Sequence, residues 1–169
     1  MNNSSSSALG VVLLFCSFAT FAGKLSAPEV LAEASKNTPQ GAIAKYFYTT
    51  EWQEILNGIG SAENEWLKVY VELRKGADGA ASEDLSEALW NVALPNSPYK
   101  VFAIENEYSC EFTFEASCPP GGIANYLDRL TSALNLLSTP EQRHMRDKCL
   151  IGIKKTRATF KNPQAYCTK

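Results

Sequence analysis

Charge is missing from the start of this chain: no Asp, Glu, Lys or Arg precedes Lys24. Long apolar runs are missing as well. The stretch from Ala8 to Gly23 is apolar or small for 16 residues, short of the ~20 that a membrane-spanning helix needs. A polar "NNSSSS" leads into it, which is the layout of a secretory signal peptide, with cleavage expected near Ala22. The chain therefore reads as a signal peptide over 1–22 and one domain over 23–169. A retained anchor and lipidation at Cys16 are the alternatives.

Histidine is nearly absent, and that narrows the chemistry. The only one, His144, sits in "PEQRHMRDKC" beside Arg143, Arg146 and Lys148. Those cations disfavour a protonated imidazole. A Ser-His-Asp or Cys-His site would have to use this one residue, and a surface helix position describes it better. Phosphate-loop and nucleophile-elbow patterns are lacking too. "GADGAAS" has no Gly-Lys-Ser/Thr ending and no G-x-S-x-G spacing around Ser82. Asp78 lacks the repeated oxygen ligands of a calcium loop. Excess charge of either sign is absent, at a net −2, so there is no general attraction to nucleic acid or anionic membrane. A local basic region remains compatible with that total.

What is present after the leader includes four cysteines, Cys110, Cys118, Cys149 and Cys167, all in the C-terminal third. An even count in an exported chain predicts two disulfides. Three connectivities are possible, and 110–118 with 149–167 is expected because both close short loops. A zinc site from Cys110, Cys118, Cys149 and His144 has suitable ligand types but no short Cys-x-x-Cys knuckle.

Helical periodicity dominates the rest. Ser26, Pro28 and Glu29 open a short first helix that "KNTPQG" should end. Thr50 and Gln53 fit a capping box, with Trp52, Ile55, Leu56 and Ile59 on one face and Gly58 and Gly60 as stops. Ser61 or Asn64 can cap a third helix bearing Trp66, Leu67, Tyr70, Val71 and Leu73. Arg74 and Lys75 suit the dipole of its last turn, and Gly76 is the natural residue beyond it. Asp78-Gly79 reads as a turn and Ser82 as the next cap, before the stripe Leu85, Ala88, Leu89 and Val92. Tyr99, Phe102 and Ala103 suggest one more short helix. The alternation around Phe112 and Phe114 predicts a short strand or an extended disulfide loop. Two strong helices follow. The first carries Ile123, Leu127, Leu130, Leu134 and Leu137. The second is capped by Thr139 with Pro140 and Gln142, and presents Met145, Cys149, Ile153, Thr156 and Phe160. The expected fold is all-α: a single multi-helix bundle of short stacked hairpins, with a C-terminal antiparallel pair tied by disulfides.

One stretch carries a resemblance. Trp52, Trp66, Leu67, Gly76, Asp78, Gly79, Ser82, Leu85, Leu89, Leu94, Pro95 and Pro98 make a pattern similar to that of small exported helical proteins of Gram-negative bacteria. In that group a Trp helix leads to Trp-Leu, a Gly-Thr-Asp-Ala-Gly-like turn, a Ser-capped helix and an "ALP-x-x-P" ending. Ala77 and the order Asp78-Gly79-Ala80 depart from it. The resemblance covers about a third of the chain. It implies a periplasmic home and brings no catalytic residues.

Carboxylate pairs are the remaining catalytic candidates. Glu83 and Glu87 share a helix face at i, i+4, where a solvated acidic surface is the commoner arrangement. Glu105, Glu107 and Glu111, with Tyr108 and Phe112, make an acidic and aromatic patch suited to a basic partner. The expectation is a periplasmic or secreted, non-enzymatic protein that binds a protein partner. It should need no cofactor or metal, bind no nucleic acid, and not insert stably in a membrane once the leader is gone. An immunity or inhibitor protein against an envelope-acting toxin is one concrete form. A carboxylate-dependent envelope hydrolase and a structural or stress factor of the envelope are the alternatives.

Overall fold

The computed structural model describes residues 24–105, 110, 112 and 118–160. The proposed signal peptide, Cys16, Glu107, Tyr108, Glu111, Phe114 and Cys167 lie outside them. Among the described residues the fold is all-helical: α1 (Ala27–Tyr46), α2 (Thr50–Gly60), α3 (Asn64–Arg74), α4 (Gly79–Glu87), a π-helical continuation (Ala88–Ala93), α5 (Pro98–Glu105), α6 (Gly122–Asn135) and α7 (Pro140–Thr159). None of these helices is long and apolar enough to cross a membrane.

The N-terminal half of α1 starts as its sequence dictates. The Glu29 carboxylate accepts hydrogen bonds from the Ser26 amide at 2.8 Å and the Ser26 hydroxyl at 2.6 Å. "KNTPQG" breaks the helix without ending it. Asn37 and Thr38 leave helical dihedrals, because Pro39 excludes the α conformation from the residue before it. The helix restarts at once, with the Thr38 hydroxyl accepting from the Gly41 amide at 3.2 Å, and buries Ala42, Ile43 and Tyr46.

Several expected boundaries shift. The N-cap of α2 is Thr49, one residue before the expected Thr50. Glu63 occupies the cap position of α3, in place of Ser61 or Asn64. For α4 the cap position is Asp78 instead of Ser82. Gly79 tolerates a positive φ of 43°, so the expected turn residue becomes the first residue of the helix and Ser82 falls inside the first turn. Gly58 is no stop signal. It lies within α2, directly against the Trp66 indole of α3, where a Cβ would collide with the ring. In α3, Val69 is buried and Val71 faces solvent.

After Leu89 the helix takes an extra residue in one turn, with the Leu94 amide donating to the Leu89 carbonyl at 2.9 Å. This π-type turn aligns Leu89 and Leu94 in the core and leaves Val92 half-buried. Buried polar groups are matched across helices: the Trp52 indole N–H donates to Asp84 at 2.8 Å, and the Tyr126 hydroxyl donates to the Trp90 carbonyl at 3.0 Å.

The main packing pairs are α1 with α3, α2 with the π-helical segment, and α6 with α7. Helix α5 touches α3, the π-helical segment and α6, so it joins the first five elements to the C-terminal hairpin. That hairpin follows the sequence closely. Ile123, Leu127, Leu130 and Leu134 are buried on α6, and Met145, Cys149, Ile153 and Thr156 on α7. The Thr139 hydroxyl accepts from the Gln142 amide at 3.3 Å, while the Gln142 side chain accepts from the Thr139 amide at 3.2 Å. Arg157 near the end of α7 reaches Asp128 in the middle of α6 at 2.6 Å, while Arg146 nearer the start of α7 donates to the Leu137 carbonyl just beyond the end of α6 at 3.3 Å, which fixes the pair as antiparallel.

The disulfide differs from the expected pairing. Cys110 bonds to Cys149, 39 residues away, with Cα atoms 4.8 Å apart, and Cys118 is disulfide-bonded too. Cys149 points inward from α7 and is fully buried. The helix then runs on for ten residues, about 15 Å at its standard rise, which carries the chain away from a short-range partner. The bond pins the segment after α5 onto α7. Gly152 allows this, because a Cβ there would strike the Cys110 carbonyl oxygen.

Candidate functional site

Of the acidic and aromatic residues expected to meet a partner, Glu105 and Phe112 fall among those described. Glu105 accepts from the Tyr70 hydroxyl at 2.8 Å and from Arg74 through both oxygens. Its side chain is only 12% exposed. This carboxylate ties α5 to α3. Phe112 is half-buried and packs edge-on to Tyr126, with ring centroids 6.5 Å apart. Both make intramolecular contacts.

The other sequence candidates do not converge on a shared centre. His144 is exposed on α7. Cys110 and Cys149 are bonded to each other, so their thiolates are not available as ligands. No cluster that could hold a metal ion occurs among the described residues. Glu83 and Glu87 are exposed on α4. Glu87 lines a 300 Å³ surface cleft with Gln53, Asn57 and Asp84, and Asp84 is engaged by Trp52.

A different region gathers charge and exposed aromatic surface: the corner where α1 turns into α2. A 560 Å³ cleft there is lined by Glu29, Glu33, Glu51 and Glu54, with Lys36 and Lys45. Each carboxylate has a local anchor. Glu33 accepts from Lys45 at 2.6 Å, and that hydrogen bond holds its carboxyl below the usual range. The Ser26 hydroxyl and amide do the same for Glu29. Glu51 is lowered by its own backbone amide and then by Thr49 and Thr50. Glu54 accepts from the Leu25 amide at 2.8 Å. At Glu29, Glu33 and Glu51 these contacts favour the ionised carboxylate, the opposite of what a general acid requires.

Tyr48 occupies the same corner. It is 91% exposed and adopts a positive φ of 67°, a conformation costing a non-glycine residue about 1 kcal/mol. Its ring lies 4.1 Å from Phe47, whose ring meets buried Trp52 edge-on at 5.3 Å. Three aromatics thus lead from the core to solvent. The sequence signal was the run Tyr46-Phe47-Tyr48: three consecutive aromatics cannot all face inward at a helix end. No family model, curated protein or solved structure matches the chain.

Proposed function

We propose that this is a non-enzymatic protein-binding protein of the bacterial envelope, which holds a basic segment of a protein partner at the α1–α2 corner. The observation that carries this reading is Tyr48: a large aromatic held in a costly backbone conformation and almost wholly in solvent. Folding gains nothing from that exposure, whereas exposed tyrosines serve as anchors in protein interfaces. Four carboxylates against two lysines in the adjoining cleft favour a cationic partner segment. The charge-free leader and the buried disulfide support an exported, oxidising setting. An immunity or inhibitor protein against an envelope-acting toxin is the concrete form that suits these features.

The test starts from affinity capture of the partner from envelope extracts, followed by titration of the two purified proteins. Tyr48→Asn should weaken binding at least tenfold, the scale of an interface anchor, at unchanged thermal stability, because Asn tolerates positive φ. Binding should also weaken as salt rises. A complex indifferent to Tyr48→Asn and to salt would remove the α1–α2 corner from the interface. For the immunity form, a deletion strain should lose survival when challenged by sibling cells that deliver the toxin, and unchanged survival would reject it.

A further inference from the structure

Charge is segregated along this chain. Helix α7 carries Arg143, Arg146, Lys148, Lys154, Lys155 and Arg157 against Glu141 and Asp147, six cations to two carboxylates in a chain of net −2. Its inner face is committed to the core through Met145, Cys149, Ile153 and Thr156. Helical spacing therefore places Arg143, His144, Asp147, Lys148, Ile151, Lys154 and Lys155 on the outer face, and all seven are exposed. Arg146 pairs with Asp147 of this face at 2.8 Å, Arg157 pairs with Asp128 of α6 at 2.6 Å, and Lys148 is engaged within the protein as well, so the face keeps an excess of cations through Arg143, Lys154 and Lys155.

The centre of the outer face is aliphatic. Ile151 is 59% exposed, with Lys148, Lys154 and Lys155 at i−3, i+3 and i+4. Leu136, 82% exposed, lies in the turn that leads into the same helix. A lysine-rich face around an exposed aliphatic residue is a poor match for a protein interface, where lysine is depleted and arginine and aromatics are enriched. It matches an interfacial helix, whose lysine stems run along apolar surface while the ammonium groups meet lipid phosphates.

We propose that the outer face of α7 docks the folded protein onto an anionic phospholipid surface, with Ile151 entering the headgroup boundary. The helix is about 30 Å long at its standard rise and lies flat, because its other face is occupied by α6. The contact is shallow and reversible: no apolar face is left over to insert further. This inference is independent of the α1–α2 reading.

The test is flotation of the exported chain, with its disulfides formed, on phosphatidylcholine vesicles with and without phosphatidylglycerol. Binding should require phosphatidylglycerol and should collapse between about 0.1 M and about 1 M salt, as the screening length falls from ~10 Å to ~3 Å. Lys154→Gln with Lys155→Gln should weaken it about 25-fold, since each lysine near such a surface contributes about fivefold. Ile151→Ser should weaken binding further while keeping the salt response. Equal binding to both vesicle types would indicate a purely apolar attachment and overturn the proposal. So would an absence of binding to either, an unaffected lysine double variant, or equal affinity for soluble polyglutamate. The vesicle-composition and salt arms need no variant, so a misfolded mutant would not blunt the test.

Discussion

The Tyr70 hydroxyl donates to the Glu105 carboxylate at 2.8 Å, across the seam between α3 and α5. Arg74 closes the arrangement by donating to the same carboxylate and to the Tyr70 oxygen, the latter at 3.0 Å. A carboxylate that looked available for a partner is thereby used to hold two helices together. Tyr70 is almost completely buried. Burial, and then the hydrogen bond to the Glu105 carboxylate, push its pKa well above the usual 10.0. Burial does the same to Tyr126.

These two tyrosines predict an alkaline loss of stability. In the unfolded chain each ionises near 10.0, while the folded protein keeps the proton to higher pH. Their contribution is therefore fully present below pH 10 and declines as pH rises above it. The slope should approach about 1.4 kcal/mol per pH unit for each tyrosine. Urea unfolding at pH 9, 10 and 11, run on the parent and on Tyr70→Phe, measures this. The variant should start less stable and lose less with pH. Parallel slopes would show that Tyr70 keeps an ordinary pKa when folded.

The Cys110–Cys149 bond closes a separation of 39 residues. Chain-entropy arguments give a loop of that size about 4 kcal/mol of stabilisation. Cys110→Ala with Cys149→Ala should then lower the melting temperature by roughly 10 °C for a chain of this size. Peptide mapping without reductant should recover Cys110 and Cys149 in one cross-linked species. Recovery of a 110–118 peptide would contradict the observed pairing.

A helix cap gives a smaller, local prediction. The Thr139 hydroxyl accepts from the Gln142 amide at the start of α7, so Thr139→Ala should cost about 1 kcal/mol. Because the cap lies in the turn that joins α6 to α7, hydrogen exchange should rise most in the first turn of α7. Uniform acceleration across α1–α3 would show that the hairpin does not open separately.

The same hairpin was the most legible part of the sequence. Its leucines repeat at strict helical spacing, and its capping box lies within four residues, so local rules decided the outcome. Where a residue's role depends on a distant neighbour, those rules ran out. Cys149 met Cys110 through packing of α7, and loop length could not reveal that. Val92 fitted the helical stripe until the π-type turn shifted the register after Leu89. Glu105 was readable as acidic, but Arg74 and Tyr70, 31 and 35 residues upstream, were not readable as its partners. Tyr48 was hidden inside an apolar aromatic run, where composition does not distinguish inward from outward.

Gly58 and Trp66 offer the sharpest test of that distinction. Read alone, Gly58 is a weak point in α2, and replacement by Ala should favour the helix by about 1 kcal/mol. Packing reverses the sign. A Cβ at residue 58 would collide with the fused edge of the Trp66 indole, and overpacking of this kind costs about 1–3 kcal/mol. Gly58→Ala should therefore destabilise the protein in chemical unfolding. The effect belongs to the pair, so Trp66→Leu should abolish the penalty of adding the methyl group. A double-mutant cycle would give a coupling of about 1 kcal/mol or more. Additive effects of the two substitutions would mean that α2 and α3 do not pack through this contact.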